Sequence, residues 1–270
     1  MPEGDTIFRA ARTLHRALAG HVVTRFETAY APLARVHDDT PITGRTVEAV
    51  EARGKHLLMR FSGDLVLRTH MRMHGSWHIY RPGERWQRPP REMRVLVGTA
   101  EFVAVGFNVP DAEFEAARDL GARDAIAHLG PDLLAPDFDA AEAVRRLRER
   151  AGVPIAEALL DQRAMAGIGN VFKSEVLFEG AVHPQTPVEA VSEERLAGLV
   201  DIARRQLAAN VRETTRPSGR RTTGRMAIGE GLWVYGRGGK PCRRCGSPIS
   251  FARQGVGARP TYWCPTCQHG

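Results

Sequence analysis

The chain has 270 residues, of which 43% are hydrophobic and 26% charged, with a formal net charge of +7. That is enough for about two domains with real cores, which argues against wholesale disorder, and the lack of an eighteen-residue apolar run argues against a transmembrane helix. The positive charge is concentrated at one end: from Arg204 onward there are thirteen Lys or Arg against two acids, Glu213 and Glu230, whereas the preceding residues hold twenty-five bases against twenty-nine acids. A general arginine bias would not strip acids from one end, so the pattern points to a polyanionic partner, with nucleic acid the first candidate.

The N-terminal stretch MPEGDTIFRAAR has acids at once and no apolar signal core, so a cytoplasmic protein is expected. Residues 5–19 read as a helix capped by Asp5 or Thr6, with Ile7, Ala11, Leu14 and Leu18 on one face and Gly20 at its end. Over 22–107 the period changes. Segments such as KHLLMRF, DLVLRTHM and MRVLVGT read as strands joined by Gly-, Asp- or Pro-containing turns, and they predict an antiparallel sandwich or barrel. Residues 82–92 read as a polar loop. From about 111 the pattern becomes helical, with helices expected at 139–150, 154–163, 170–179 and 192–213. The Arg- and Thr-rich segment from Asn210 to Arg225 reads as a mobile loop.

All four cysteines lie in the last forty residues. Cys242-x2-Cys245 and Cys264-x2-Cys267 are eighteen residues apart, a spacing that places four thiolates tetrahedrally around one structural zinc. A reducing compartment disfavours disulfides, and no βαβ pattern supports a redox motif. Four cysteines leave the metal no open position, so it holds a β-hairpin and takes no part in chemistry. His70, His74 and His78 form a weaker metal candidate: they fall on strand–turn–strand and lack a carboxylate or thiolate partner.

Two further segments carry chemistry. In LLDQRAMAGIGNVFKSE, Gly167 and Gly169 permit tight turns, Asn170 is expected to cap the following helix, and Lys173 is expected to add charge for a phosphate at the helix N-terminus. The alternative is a plain helix–turn–helix connection. At the amino end, removal of Met1 exposes the secondary amine of Pro2. A free α-amino group titrates near ~8, so a useful fraction is neutral, able to attack a sugar aldehyde carbon and form an iminium. Glu3 is placed to shuttle protons. Taken alone, Glu3 is equally well explained by helix-dipole chemistry.

The chain resembles the formamidopyrimidine-DNA glycosylase / endonuclease VIII family of base-excision repair enzymes. The resemblance runs in order through MPEGDT, RGKHLL (53–58), THMRMHGSW (69–77), LLDQRAMAGIGNVFKSE (159–175) and RPTYWCPTCQ. It implies an α+β, two-domain fold: an N-terminal helix plus antiparallel β-sandwich, then a helical domain with a helix–two-turn–helix element and a four-cysteine zinc-finger β-hairpin. The expected segments are 1–122, 123–230 and 231–270.

By position, the resemblance implies that Pro2 is the nucleophile at C1′ and Glu3 the general acid/base. Lys55 is implied as the hairpin lysine that contacts phosphate and assists base or sugar protonation. Asn170 of the Gly169–Asn170 turn is implied to grip phosphate, and Arg259 to clamp phosphate beside the lesion. Arg72, Met73 and His74 stand where the family inserts side chains into the gap left by a flipped base. The implied partner is damaged double-stranded DNA, bound by a monomer with one zinc, no small-molecule cofactor and no membrane. Gly4 and Arg259-Pro260-Thr261-Tyr262-Trp263 look like the endonuclease VIII branch, which prefers oxidised pyrimidines. Thr6, where an acid is usual, and His74, where an aromatic is common, depart from the family pattern. The competing readings are an oxidised-purine glycosylase, a non-catalytic DNA-binding protein on the same scaffold, and a zinc-ribbon transcription factor.

Overall fold

Ile7, Ala11, Leu14 and Leu18 recur at helical spacing and all are buried on one face of helix α1 (Gly4–Leu18). The computed structural model describes residues 2–121, 124–212, 219–225 and 227–269. Helix α1 begins earlier than its sequence predicts. Glu3 takes the extended N-cap position, and its carbonyl accepts the N–H groups of Thr6 at 2.9 Å and Ile7 at 3.1 Å. Asp5 and Thr6 therefore lie inside the first turn and do not cap it; Asp5 instead pairs with Arg9 at 3.4 Å, one turn on. Gly20 ends the helix with φ 83°, a left-handed conformation that favours glycine.

The chain divides into two units, Met1–His128 and Leu129–Gly270. The first continues with β1 (Arg25–Thr28), α2 (Ala31–Asp39), β2 (Val47–Arg53), β3 (His56–Phe61), β4 (Leu65–His70), β5 (Ser76–Tyr80), β6 (Met93–Gly98), β7 (Val103–Phe107), β8 (Asp111–Ala116) and α3 (Asp124–Ala127). The strands form two antiparallel four-stranded sheets, ordered β1-β6-β7-β5 and β2-β3-β4-β8. Period-2 alternation makes them a sandwich. Leu57, Met59 and Phe61 of one sheet share a core with Val95, Val97 and Ala104 of the other.

Three further stretches of this unit depart from the sequence expectation. Helix α2 interrupts the β region; Pro32 opens it, and Leu33 is its one buried residue. Residues 111–116 form strand β8, not the start of a helix, because Arg68 of β4 pairs across the sheet with Glu113 and, at 2.6 Å, with buried Glu115. The 82–92 loop is not wholly polar in function. Trp86 folds back onto the outer cluster of Tyr80, Leu96 and Phe107, with its ring 5.6 Å from that of Phe107.

The second unit contains α4 (Ala140–Arg148), α5 (Ile155–Ala158), α6 (Asn170–Glu179), α7 (Glu193–Arg212), β9 (Ser250–Gln254) and β10 (Arg259–Trp263). Asp139 caps α4, its side chain accepting the Glu142 N–H at 2.9 Å. The helix expected at 154–163 is only α5. After Ala158 the chain passes into turns that lead to the glycines. Helix α6 is the centre of this unit: every residue from Asn170 to Phe178 is buried, polar ones included. A helix buried all round has no amphipathic stripe, and its polar side chains must find internal partners.

Candidate active site and nucleic-acid interface

In the first unit, Pro2 is half-buried and Glu3 beside it is fully buried at the head of α1. The helix is tied to the sheet where His15 Nδ1 accepts the N–H of Val50 at 3.1 Å. Val50 lies on β2, the strand that leads to Lys55. The turn between β2 and β3 is the two-residue loop Gly54-Lys55, since Arg53 pairs directly with His56. Gly54 adopts φ 58° there, which presents Lys55 at the hairpin tip.

Two neutral imidazoles stand next to this tip. His56 and His70 are cross-strand partners, with ring centroids 4.9 Å apart and planes at 68°. Burial, reinforced by each other and by Arg72, lowers His56 to about 3. Burial first, then the Arg72 charge, with Lys55 contributing, lowers His70 to about 4. His70 Nδ1 accepts the N–H of Arg72 at 3.1 Å, and Arg72 Nε donates to Asp111 Oδ2 at 2.6 Å. These contacts hold Arg72 at φ 48°, a strained conformation for a residue other than glycine.

Arg72, Met73 and His74 form an exposed three-residue protrusion closed by the Gly75 N–H donating to Met71 O at 2.8 Å. Only glycine fits at 75, because a Cβ would lie 2.6 Å from the Met71 carbonyl. Met73, the apolar member of the three, is 53% exposed. The three candidate histidines occupy separate settings: His70 lies against His56, His74 is exposed, and His78 contacts Ser76 Oγ at 3.0 Å.

In the second unit, the turn before α6 is organised by a residue that sequence reasoning missed. Gln162 donates to Leu160 O at 2.9 Å and Ile168 O at 3.1 Å, and its Oε1 accepts the Gly167 N–H at 3.1 Å. Gly167 takes φ 107°. The N-cap of α6 is Gly169, and Asn170 is its first helical residue, not its cap. Asn170 Oδ1 accepts from Lys173 Nζ at 2.9 Å. Lys173, expected to add charge near this turn, is 1% exposed and also donates to Thr261 Oγ1 at 2.7 Å.

Glu175 was likewise illegible as a site residue. Its carboxylate accepts the backbone N–H groups of Trp233 at 2.7 Å, Val234 at 2.9 Å and Tyr235 at 2.8 Å, and the Thr222 hydroxyl. Burial pushes this carboxyl up, and the four donors oppose the shift. In the segment expected to be mobile, residues 213–218 lie outside the described residues. Arg221 is held by Asn210, whose Oδ1 accepts its N–H at 2.9 Å. A cavity of about 400 Å³ beside it is lined by Arg220, Arg221, Tyr235, Arg237 and Lys240, with no acid among the described residues of its wall. Trp233 stacks on Phe178 with centroids 5.4 Å apart.

The four cysteine sulfurs all lie within 4.8 Å of one another, with Cys245–Cys264 at 3.5 Å and Cys242–Cys267 at 3.9 Å. Four Zn–S bonds of about 2.3 Å in a tetrahedron set sulfurs roughly 3.8 Å apart, so the cluster fits one zinc. Burial and the neighbouring thiols push Cys267 up, a crowding that a bound cation relieves. The cluster packs on α6 through Phe178, Val234 and Ile249. Beyond it, β9 and β10 pair from Ser250–Trp263 to Gln254–Arg259, which puts exposed Arg259 at the hairpin end next to the turn.

A helix-headed β-sandwich, a buried glycine-turn helix and a four-cysteine hairpin together define a formamidopyrimidine-DNA glycosylase fold. The chain matches the formamidopyrimidine-DNA glycosylase N-terminal domain over residues 1–122, that enzyme's H2TH domain over 129–219, and a zinc finger found in FPG and IleRS over 239–270. It belongs to the formamidopyrimidine-DNA glycosylase / endonuclease VIII family. It is 48% identical to "Probable endonuclease 8 2" of Streptomyces coelicolor, covering 100% of this chain and 95% of the relative. It is 39% identical to the DNA-(apurinic or apyrimidinic site) lyase Nei2 of Mycolicibacterium smegmatis, over 99% of each. Its fold superposes on Lactococcus lactis formamidopyrimidine DNA glycosylase bound to abasic-site DNA with TM-score 0.83, at 23% identity and full coverage of both chains.

Proposed function

We propose that the chain is a DNA glycosylase and AP lyase of base excision repair that removes oxidised pyrimidines through an N-terminal proline iminium. The observation that carries this reading is Glu3, an acid 0% exposed at the head of α1 and adjacent in sequence to Pro2. A carboxyl there is positioned for proton transfer rather than for solvation.

The damaged nucleotide is extruded at a cost of a few kcal/mol in lost stacking, and Arg72, Met73 and His74 enter the gap. The Pro2 nitrogen, freed by removal of Met1, attacks C1′. The N-glycosidic bond breaks and the base leaves with a proton; the Pro2 nitrogen sheds its own proton, and the C1′–O4′ bond then opens with O4′ taking up a proton, which gives the iminium. The iminium acidifies the C2′ proton; its removal to a base, for which Glu3 is the candidate, expels the 3′ phosphate, and a second elimination expels the 5′ phosphate. Lys55 contacts phosphate and assists base or sugar protonation. Asn170, with the Gly169 turn, and Arg259 grip the backbone around the lesion. Zinc supplies no chemistry when bound; it holds the hairpin that carries Arg259.

We assign these roles to the segments 1–122 (chemistry), 123–230 (backbone grip) and 231–270 (hairpin). The enzyme acts on damaged duplex DNA as a monomer in the cytoplasm, on the nucleoid when bound. Among the described residues no helix is long and apolar enough to cross a membrane. Gly4 and the Arg259–Trp263 run support the pyrimidine preference, as does the endonuclease 8 naming of relatives. A panel of thymine glycol, dihydrouracil and 8-oxoguanine duplexes tests it. Faster cutting of the two pyrimidine lesions is expected. Equal or faster cutting of 8-oxoguanine opposite cytosine overturns the pyrimidine assignment, and no cutting of any duplex leaves a DNA-binding protein.

A further inference from the structure

The most connected buried cation near the proposed backbone grip is Lys173. Its ammonium donates to Asn170 Oδ1 at 2.9 Å, Thr261 Oγ1 at 2.7 Å and Pro260 O at 3.3 Å. Lys173 and Asn170 are 1% and 2% exposed, and Thr261 is 0% exposed. An ammonium can only donate, so the Asn170 amide must turn its oxygen inward and its NH2 away from Lys173. Without that partner the amide is free to flip, and a flipped amide offers oxygen to a phosphate that can only accept. On the other side, the Thr261 hydroxyl that accepts from Lys173 donates to Arg259 O at 3.4 Å. One hydrogen-bonded chain thus joins the Asn170 amide to the backbone of Arg259.

We infer that Lys173 is a positioning residue: it fixes the Asn170 amide with its donor edge outward and registers strand β10 against α6, and it is not itself a phosphate ligand. This rests on the reading of Asn170 as a phosphate ligand. The geometry is local to the second unit, spanning α6 and the hairpin that packs on it.

The test uses the zinc-loaded full chain and a duplex carrying a tetrahydrofuran abasic-site analogue. The variants are Asn170→Ala, Lys173→Met and their double, with Kd measured across a salt series and single-turnover lyase rates measured at saturating abasic-site DNA. Each single variant is expected to weaken binding about tenfold, as loss of one directed hydrogen bond and its alignment does. The double is expected to be no more than about twofold weaker than either single. The salt slope of Lys173→Met stays at the wild-type value and its saturated lyase rate stays within about threefold, because no phosphate charge contact is removed. A double near hundredfold weaker, or a slope reduced by about one, shows a direct phosphate contact and overturns the inference. Wild-type binding by Lys173→Met alongside weakened Asn170→Ala overturns the inference alone; wild-type binding by Asn170→Ala overturns the reading beneath it as well. Should Lys173→Met lose zinc or melt early, Thr261→Val replaces it. That variant keeps the side-chain shape, and its expected weakening of about threefold at unchanged salt slope supports the chain, whereas unchanged Kd overturns it.

Discussion

Glu175 Oε1 accepts the backbone N–H of Tyr235 at 2.8 Å, joining the second turn of α6 to a segment sixty residues further along. With Trp233, Val234 and Thr222 bound to the same carboxylate, this one side chain fastens the wall of the cationic cavity to the centre of the unit. Glu175→Gln places an NH2 group against backbone donors. It is expected to destabilise the chain by about 2–4 kcal/mol, read as a lower melting temperature, because a buried donor then faces donors. An unchanged melting temperature contradicts the staple.

The histidine pair gives a pH prediction. Both imidazoles are lowered, to about 3 and about 4, so the folded chain stays unprotonated where an unfolded histidine takes up a proton. Their stability contribution is fully present above the unfolded value near ~6.5 and is lost as pH falls toward 4. His56 Nδ1 is also buried without a partner. His56→Phe is therefore expected to flatten the fall in stability between pH 7 and pH 5 by about 2 kcal/mol, measured by urea unfolding at each pH. A wild-type pH profile in that variant contradicts the assignment.

Zinc removal is expected to act on the hairpin. Phe178, Trp233 and Tyr262 pack with the cysteine cluster, so chelation shifts tryptophan emission and weakens abasic-site DNA binding at least about tenfold. One zinc per chain is expected before chelation. Unchanged emission and affinity in the metal-free chain contradict a structural role for the metal.

How much of this was legible in the sequence varies by element. The α1 stripe, the alternating strands, the CxxC pairs and the Gly-Ile-Gly-Asn turn were visible because local period or spacing encodes them. Strand β8 was not: Asp111, Glu113 and Glu115 look solvent-bound until Arg68 is placed across from them. Helix α6 carries no amphipathic signal, so nothing in its sequence marks Lys173 and Glu175 as buried. Gln162, Thr261 and Asn210 act through partners remote in sequence or through irregular backbone, and no local pattern marks them.

In the proposed mechanism the amino-terminal nitrogen of Pro2 carries the covalent step. Borohydride trapping on abasic-site DNA, followed by proteolysis and mass spectrometry of the cross-linked peptide, tests it most directly. A reduced deoxyribose adduct on the Pro2 nitrogen of a chain lacking Met1 is expected. An adduct on Lys55, Lys173, Lys240 or a retained Met1 amine contradicts it.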